Sequence, residues 1–339
     1  MRSAPPRLAR RLRGLLAASL AVVALTTGCA ATNTTDAAGS SGGNGDGTFP
    51  VTIQTEFGDV TIPKRPQRVV ALGWSDAETA LALGVEPVGA ADWLGVGGDG
   101  LGPWVTARYT KPPVMLGTLE VNMEALAALR PDLILDTRSD GTKERYERLS
   151  ELGVPVVGIP PGAKAYLTPW EKQLELVGKA LGKSAEADKL RSAMEAAFAR
   201  ARKEHPEFAG KHVVAAARTA DAYSAYVDGD GRVEFLKRLG FVNSPKVQSL
   251  AAKDQFTVAV SKERMDLLDA DLTVMFLIGQ TPEKVTGDPL YRAVPSVKAG
   301  RSVVLSDKAV SDAFSSASVP GMTYALDKVV PQFAEALTE

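Results

Sequence analysis

The chain of 339 residues has one cysteine, two histidines and aromatic residues at only 6% of its positions. A lone cysteine excludes a disulfide framework and a cysteine-ligated metal site. The two histidines, His205 and His212, fall at a predicted helix end and at the edge of a predicted strand, and neither H-E-x-x-H nor G-x-S-x-G occurs. Hydrolytic and metalloenzyme chemistry therefore has no machinery in the sequence. Acids are missing from the first 28 residues, which hold five arginines, an apolar run from Leu15 to Leu25 and then small residues leading to Cys29. The run is too short for a membrane span and reads as an export signal. Its removal takes the formal net charge from −1 to about −6, a mildly acidic balance that speaks against nucleic acid as a partner.

What the sequence does contain is an ordered succession of elements. Residues 1–28 are the signal, and Cys29, after Thr26, Thr27 and Gly28, resembles the lipidated cysteine of a bacterial lipobox. Residues 29–48 are rich in Gly, Ser, Thr and Ala and read as a flexible tether. VTIQTEFGDVTI predicts a β-hairpin, and from there to residue 165 short apolar strands such as RVVAL, PVGAA and PDLIL alternate with helices, as in an α/β lobe. Residues 166–206 keep a helical period broken only near Gly178 and Gly182, so they predict one or two helices acting as a connector. A second α/β lobe fills 207–339.

Two segments of these lobes match without a gap. VNMEALAALRPDLIL, residues 121–135, aligns with VSKERMDLLDADLTV, residues 260–274, at Val, Glu, Leu, Asp and Leu. Each is a helix followed by a strand, with an acid, Glu124 or Glu263, at the same helical position. One acid near a helix N-terminus is common and carries only a few tenths to about 1 kcal/mol of dipole stabilisation. A pair in both lobes predicts two carboxylates offered to arginines of a two-fold symmetric membrane partner.

GVGGDG, residues 95–100, has the spacing of a dinucleotide site, but LGPWVTARYTKPP follows it instead of an amphipathic helix, so it reads as a loop. DGDG, residues 228–231, opens like a calcium loop and then meets Arg232 where a ligand is needed, so it reads as a turn. The remaining candidates are aromatic and arginine residues near strand ends, where loops of two facing α/β lobes border a crevice. They are Trp74, Trp93 and Trp104 with Arg138 in the first lobe, and Arg218, Tyr223, Tyr226, Phe276 and Phe314 in the second. Indole surfaces and orienting guanidinium groups together suit a bulky, partly anionic organic ligand.

The lipoprotein start, RVVALGWSDAETALALGVEPVGAADW, the two Glu segments, the connector and PLYRAVPSVKAGRSVVLSD together resemble the substrate-binding lipoproteins of iron-siderophore ABC importers. The resemblance runs from Phe49 to the C-terminus. It implies two Rossmann-like lobes joined by a single long α-helix, a ligand cleft between them and little hinge motion. It further implies a monomer that needs no cofactor and no catalysis, with the ferric iron held by the siderophore. The chain would be lipid-anchored outside the cytoplasm through Cys29, with Glu124 and Glu263 docking on the permease dimer. Zinc- and manganese-binding relatives use several histidines, which this chain lacks. Hydroxamate-binding relatives often carry an arginine where this chain has Gly117, Thr118 and Leu119, so the siderophore type stays open. Haem, with Tyr223, Tyr226 or Tyr109 as axial ligand, or a cobalamin-like corrinoid is the alternative cargo. An extracytoplasmic α/β enzyme or a sensory lipoprotein would share the fold alone.

Overall fold

A computed structural model describes residues 47–220, 222–253 and 255–338; the export signal, Cys29 and nearly all of the tether lie outside the described residues. The hairpin expected from VTIQTEFGDVTI forms from β1 (Val51–Thr55) and β2 (Gly58–Ile62), paired antiparallel from Val51 with Ile62 to Thr55 with Gly58. Its period-two alternation buries Ile53, Val60 and Ile62.

Five short strands make the first sheet: β3 (Val69–Ala71), β4 (Gly89–Ala90), β5 (Val114–Met115), β6 (Leu133–Leu135) and β7 (Val156–Val157). All are parallel, in the order β5-β4-β3-β6-β7. Val69–Ala71 and Leu133–Leu135 are buried at every residue. That is why they read as unbroken apolar runs: crossover helices cover both faces of a parallel sheet. Those helices include α1 (Asp76–Ala82), α2 (Met123–Ala128) and α3 (Lys143–Ser150).

The second sheet is mixed. It contains β8 (His212–Arg218), β9 (Tyr223–Tyr226), β10 (Val242–Asn243), β11 (Thr257–Val260), β12 (Leu272–Leu277) and β13 (Ser302–Val304). The order is β11-β9-β8-β12-β13, with β10 beside the start of β8. β12 runs parallel to β8 and β13, while β9 runs antiparallel to both β8 and β11.

Between the sheets the chain forms two helices, α4 (Trp170–Leu181) and the longer α5 (Ser184–Glu204), as the period broken near Gly182 allows, where the resemblance implied a single long helix. Gly182 takes the left-handed conformation at φ 68° and Lys183 N–H returns to the Gly178 carbonyl, the closing turn that glycine makes cheap. Gly178 also has no side chain because Ala187 of α5 lies against it; a Cβ there would come within 2.6 Å of the Ala187 methyl. One contiguous apolar cluster runs from Val69, Leu133 and Leu135 through Leu174 and Val177 of α4 and Phe198 of α5 to Phe235, Phe314 and Phe333. A connector that belongs to the core of both lobes resists hinging, because opening would expose close-packed surface.

Candidate ligand-binding site

A cavity of about 530 Å³ opens between the lobes, within the range of small-molecule sites. The first lobe contributes Trp74, Trp93 and Leu94, and the second contributes Tyr226, Phe276, Arg232 and the segment from Leu277 to Gln280. Trp74 follows β3 and Trp93 follows β4, so the parallel sheet delivers both indoles to the same edge. They stack with ring centroids 4.3 Å apart and planes 10° apart, and Tyr166 stacks at 4.2 Å on Trp74. Trp74 Nε1 has no hydrogen-bond acceptor among the described residues.

The charge in the cavity comes from Arg232, at the second position of α6 (Gly231–Arg238). Its Nε donates to Ser315 Oγ at 3.1 Å, its Nη1 to Asp230 Oδ2 at 3.1 Å, and its guanidinium carbon lies 4.4 Å from the Tyr226 ring centre. Nη2 has no partner among the described residues, which leaves one face of the fork for an anion. Burial pulls the guanidinium down, but its neighbours, Tyr226 and Asp230 first among them, outweigh that and hold it above its ordinary range. The helix Lys308–Ser316 completes the wall with Lys308, Ser311, Asp312 and Ser315, a polar stripe at helical spacing. Lys308 and Asp312 pair with each other across one turn. Among the described residues no group of three or more His, Cys, Asp or Glu side chains could hold a metal ion.

The periplasmic binding protein family model matches residues 69–309, which takes in both sheets, the connector and most of the cavity wall. The chain belongs to the periplasmic binding protein family. It is similar to a probable siderophore-binding lipoprotein, YfiY, of Bacillus subtilis, with 26% identity over 298 residues, 80% of this chain and 84% of that one. A periplasmic solute binding protein from Mycobacterium smegmatis superposes with a TM-score of 0.73 at 27% identity, covering 87% of this chain and 100% of its own. PiaA of Streptococcus pneumoniae, solved in complex with ferrichrome, gives a TM-score of 0.72 at 26% identity, with 85% and 98% covered.

Against this periplasmic-binding-protein frame the expected site residues divide by side-chain direction. Trp74, Trp93, Tyr226 and Phe276 line the cavity. Arg218 and Tyr223 do not, because side chains alternate along a strand. On β8, Val213, Ala215 and Ala217 face the core that contains Tyr226 and Phe276, while Val214 and Ala216 face a second cluster that contains Tyr223. Arg218 shares the parity of the latter and stacks 4.5 Å over Tyr223, whose hydroxyl is taken by Asp288 at 2.8 Å. Phe314 is fully buried against Phe235 and Phe276, one residue off the polar stripe of its helix.

Trp104 is likewise away from the cavity. The loop after β4 folds over α1 and buries Trp104 with Leu81, Leu101, Val105 and Tyr109, its Nε1 donating to the Glu78 carboxylate at 3.1 Å. Gly102 lies under the indole, where any Cβ would collide with the ring. Arg138 is 3% exposed and is turned to the Tyr166 and Ser316 carbonyls, at 3.0 Å each, on the wall of a different cavity. Of the three tyrosines considered as haem ligands, only Tyr226 lines the cavity between the lobes.

Glu124 and Glu263 are both exposed, and both are the second residue of their helix, after Asn122 and Ser261. Each lies nine residues before the strand that follows, β6 or β12. The helix under Glu263, Lys262–Leu268, is 3₁₀ with a kink at Arg264, where an α-helix was expected. The residues missed in the sequence are Arg232, Tyr166 and the Lys308–Ser315 stripe. The stripe is legible as polar positions i, i+3, i+4 and i+7 in KAVSDAFSS, whereas Arg232 directly follows the DGDG turn and carries no pattern of its own.

Proposed function

We propose that this chain captures a ferric siderophore in the cavity between its lobes and delivers it to the permease of an ABC importer. The observation that carries the reading is the pairing, in one cavity of about 530 Å³, of the Trp74–Trp93 stack with the half-free Arg232 guanidinium. A ferric siderophore is bulky, presents apolar flanks and carries anionic oxygens, so indoles take its body and the arginine orients its oxygens. The names of YfiY and of the PiaA complex with ferrichrome point to the same class of cargo. Iron arrives already chelated, so the protein supplies no metal ligands and returns the cargo unchanged, without turnover. Lipidation at Cys29 tethers the monomer outside the cytoplasm, and the second-position acids Glu124 and Glu263 meet arginines on the two halves of the permease. Haem would place its iron at Tyr226, which Arg232 already covers.

The test is tryptophan fluorescence of the mature domain titrated with ferric hydroxamate, catecholate and carboxylate siderophores, haemin and cobalamin. One ferric siderophore is expected to quench saturably with a midpoint between about 1 nM and 1 μM, and Trp93→Phe to reduce the quench. Saturation by haemin alone, with a Soret band lost in Tyr226→Phe, overturns the cargo while keeping the transport role. Silence across the panel removes the cavity assignment.

A further inference from the structure

A second cavity, about 520 Å³, lies where the start of α4 meets α6, and it shares no lining residue with the first. Its walls are Leu167, Pro169, Trp170 and Ala317, and its charged rim is internally paired. Lys172 bonds Glu175 at 2.9 Å, Arg191 bonds Asp188 at 2.8 Å, Glu234 bonds Lys237 at 2.9 Å and Arg238 pairs with Glu171. Arg138 is the exception. It is buried, it lines the cavity, and its hydrogen bonds go to two backbone carbonyls, with no acid in ion-pair contact among the described residues. The nearby acids are committed elsewhere: Asp230 to Arg232, and Asp76 to Thr137 and Gln173. Burial lowers the guanidinium to about 10, and the charges of Asp230 and Asp76 nearby offset only part of that cost.

Two further features face the same space. Nη2 of Arg138 has no partner among the described residues and reaches Gly231 of the cavity wall, where a Cβ would stand 3.3 Å from it. The N-terminus of α4 has Pro169 as its cap, with no side chain bonded to the first-turn amides. One buried cation, unsatisfied donors and apolar walls are complementary to a single negative charge on an apolar body.

We infer that this cavity is a binding site for a small monocarboxylate with an apolar tail, held at the carboxylate by Arg138. The guanidinium carbon of Arg138 also lies 6.0 Å from the Trp93 ring, so the carboxylate would sit one side chain away from the cavity between the lobes. The site stands independently of the cargo bound there.

Isothermal titration calorimetry of the whole mature protein with sodium hexanoate tests it, with hexanol and sodium phosphate as controls. Saturable binding of hexanoate is expected, with neither control saturating. Arg138→Gln should weaken it at least tenfold. Leu167→Trp, which fills the cavity and leaves Arg138 in the chain, should abolish it and leave ferric siderophore affinity within twofold. Lys308→Gln, on the wall of the other cavity, should leave hexanoate binding within twofold. The inference is overturned if hexanoate does not saturate, if hexanol binds equally, or if binding survives Leu167→Trp or Arg138→Gln unchanged.

Discussion

In the first lobe every strand of the sheet runs parallel, so the C-terminal ends of β3 and β4 lie side by side and the residues after them, Trp74 and Trp93, arrive together. The second lobe repeats part of that plan: β12 lies between β8 and β13 as β6 lies between β3 and β7. It then departs from it, because β9 folds back antiparallel on β8. The hairpin sends Arg218 and Tyr223 to the far face, and the cavity takes its charge from Arg232 at the head of α6. Strand-end reasoning thus works where crossovers make the sheet parallel and fails where a hairpin replaces a crossover, because strand parity then decides which side chains face the ligand.

The largest expected effect tests what the lobes share. With Glu124→Arg and Glu263→Arg together, iron uptake by cells should fall to background while the purified protein binds its siderophore normally, since like charges would face each other at the permease. Each single reversal should cost uptake about equally if the two acids are equivalent; normal uptake in the double variant removes the docking role.

A difference between the lobes comes next in size. At the lobe junction the first lobe buries Asp76 and Glu78 with no cation bonded to either among the described residues, whereas Asp230 in the second is paired with Arg232. Burial outweighs the bonds from Thr137 and Gln173 and pushes Asp76 up to about 6. Because the folded value is raised, its contribution of about 3 kcal/mol is fully present below pH 4 and is lost as pH rises to 6. A carboxyl-carbon NMR titration of Asp76 should show a midpoint near 6; a midpoint near 4 contradicts the uncompensated burial.

Within the cavity, Arg232→Gln should weaken siderophore binding by roughly 30-fold, about 2 kcal/mol for lost charge-assisted bonds. Trp93→Ala should cost about tenfold, through lost stacking and buried area. If Trp93 matters more than Arg232, the first lobe dominates recognition and the division of labour is reversed. The smallest effect is expected at Tyr223→Phe: affinity within twofold, and stability lower by about 1 kcal/mol for the lost bond to Asp288, read as a denaturant midpoint. A large loss of affinity there would contradict the parity argument.

Several things were settled by the amino-acid sequence alone. Alternating apolar strands and helices determine the α/β architecture, since a parallel strand must be apolar on both faces wherever it lies. The paired acids were visible because their spacing to a cap and a strand is local, within one helix and one turn of chain. The cluster of indoles after β3 and β4 was legible for the same reason. What only the tertiary structure decided is which face each second-lobe side chain presents, and what lies opposite it. Arg138 and Arg232 look alike in the sequence, yet the fold turns one to two carbonyls in a second cavity and the other to the space between the lobes. Those directions depend on contacts between residues far apart in the chain, such as Arg138 with Ser316 and Arg232 with Ser315, and no local pattern encodes them.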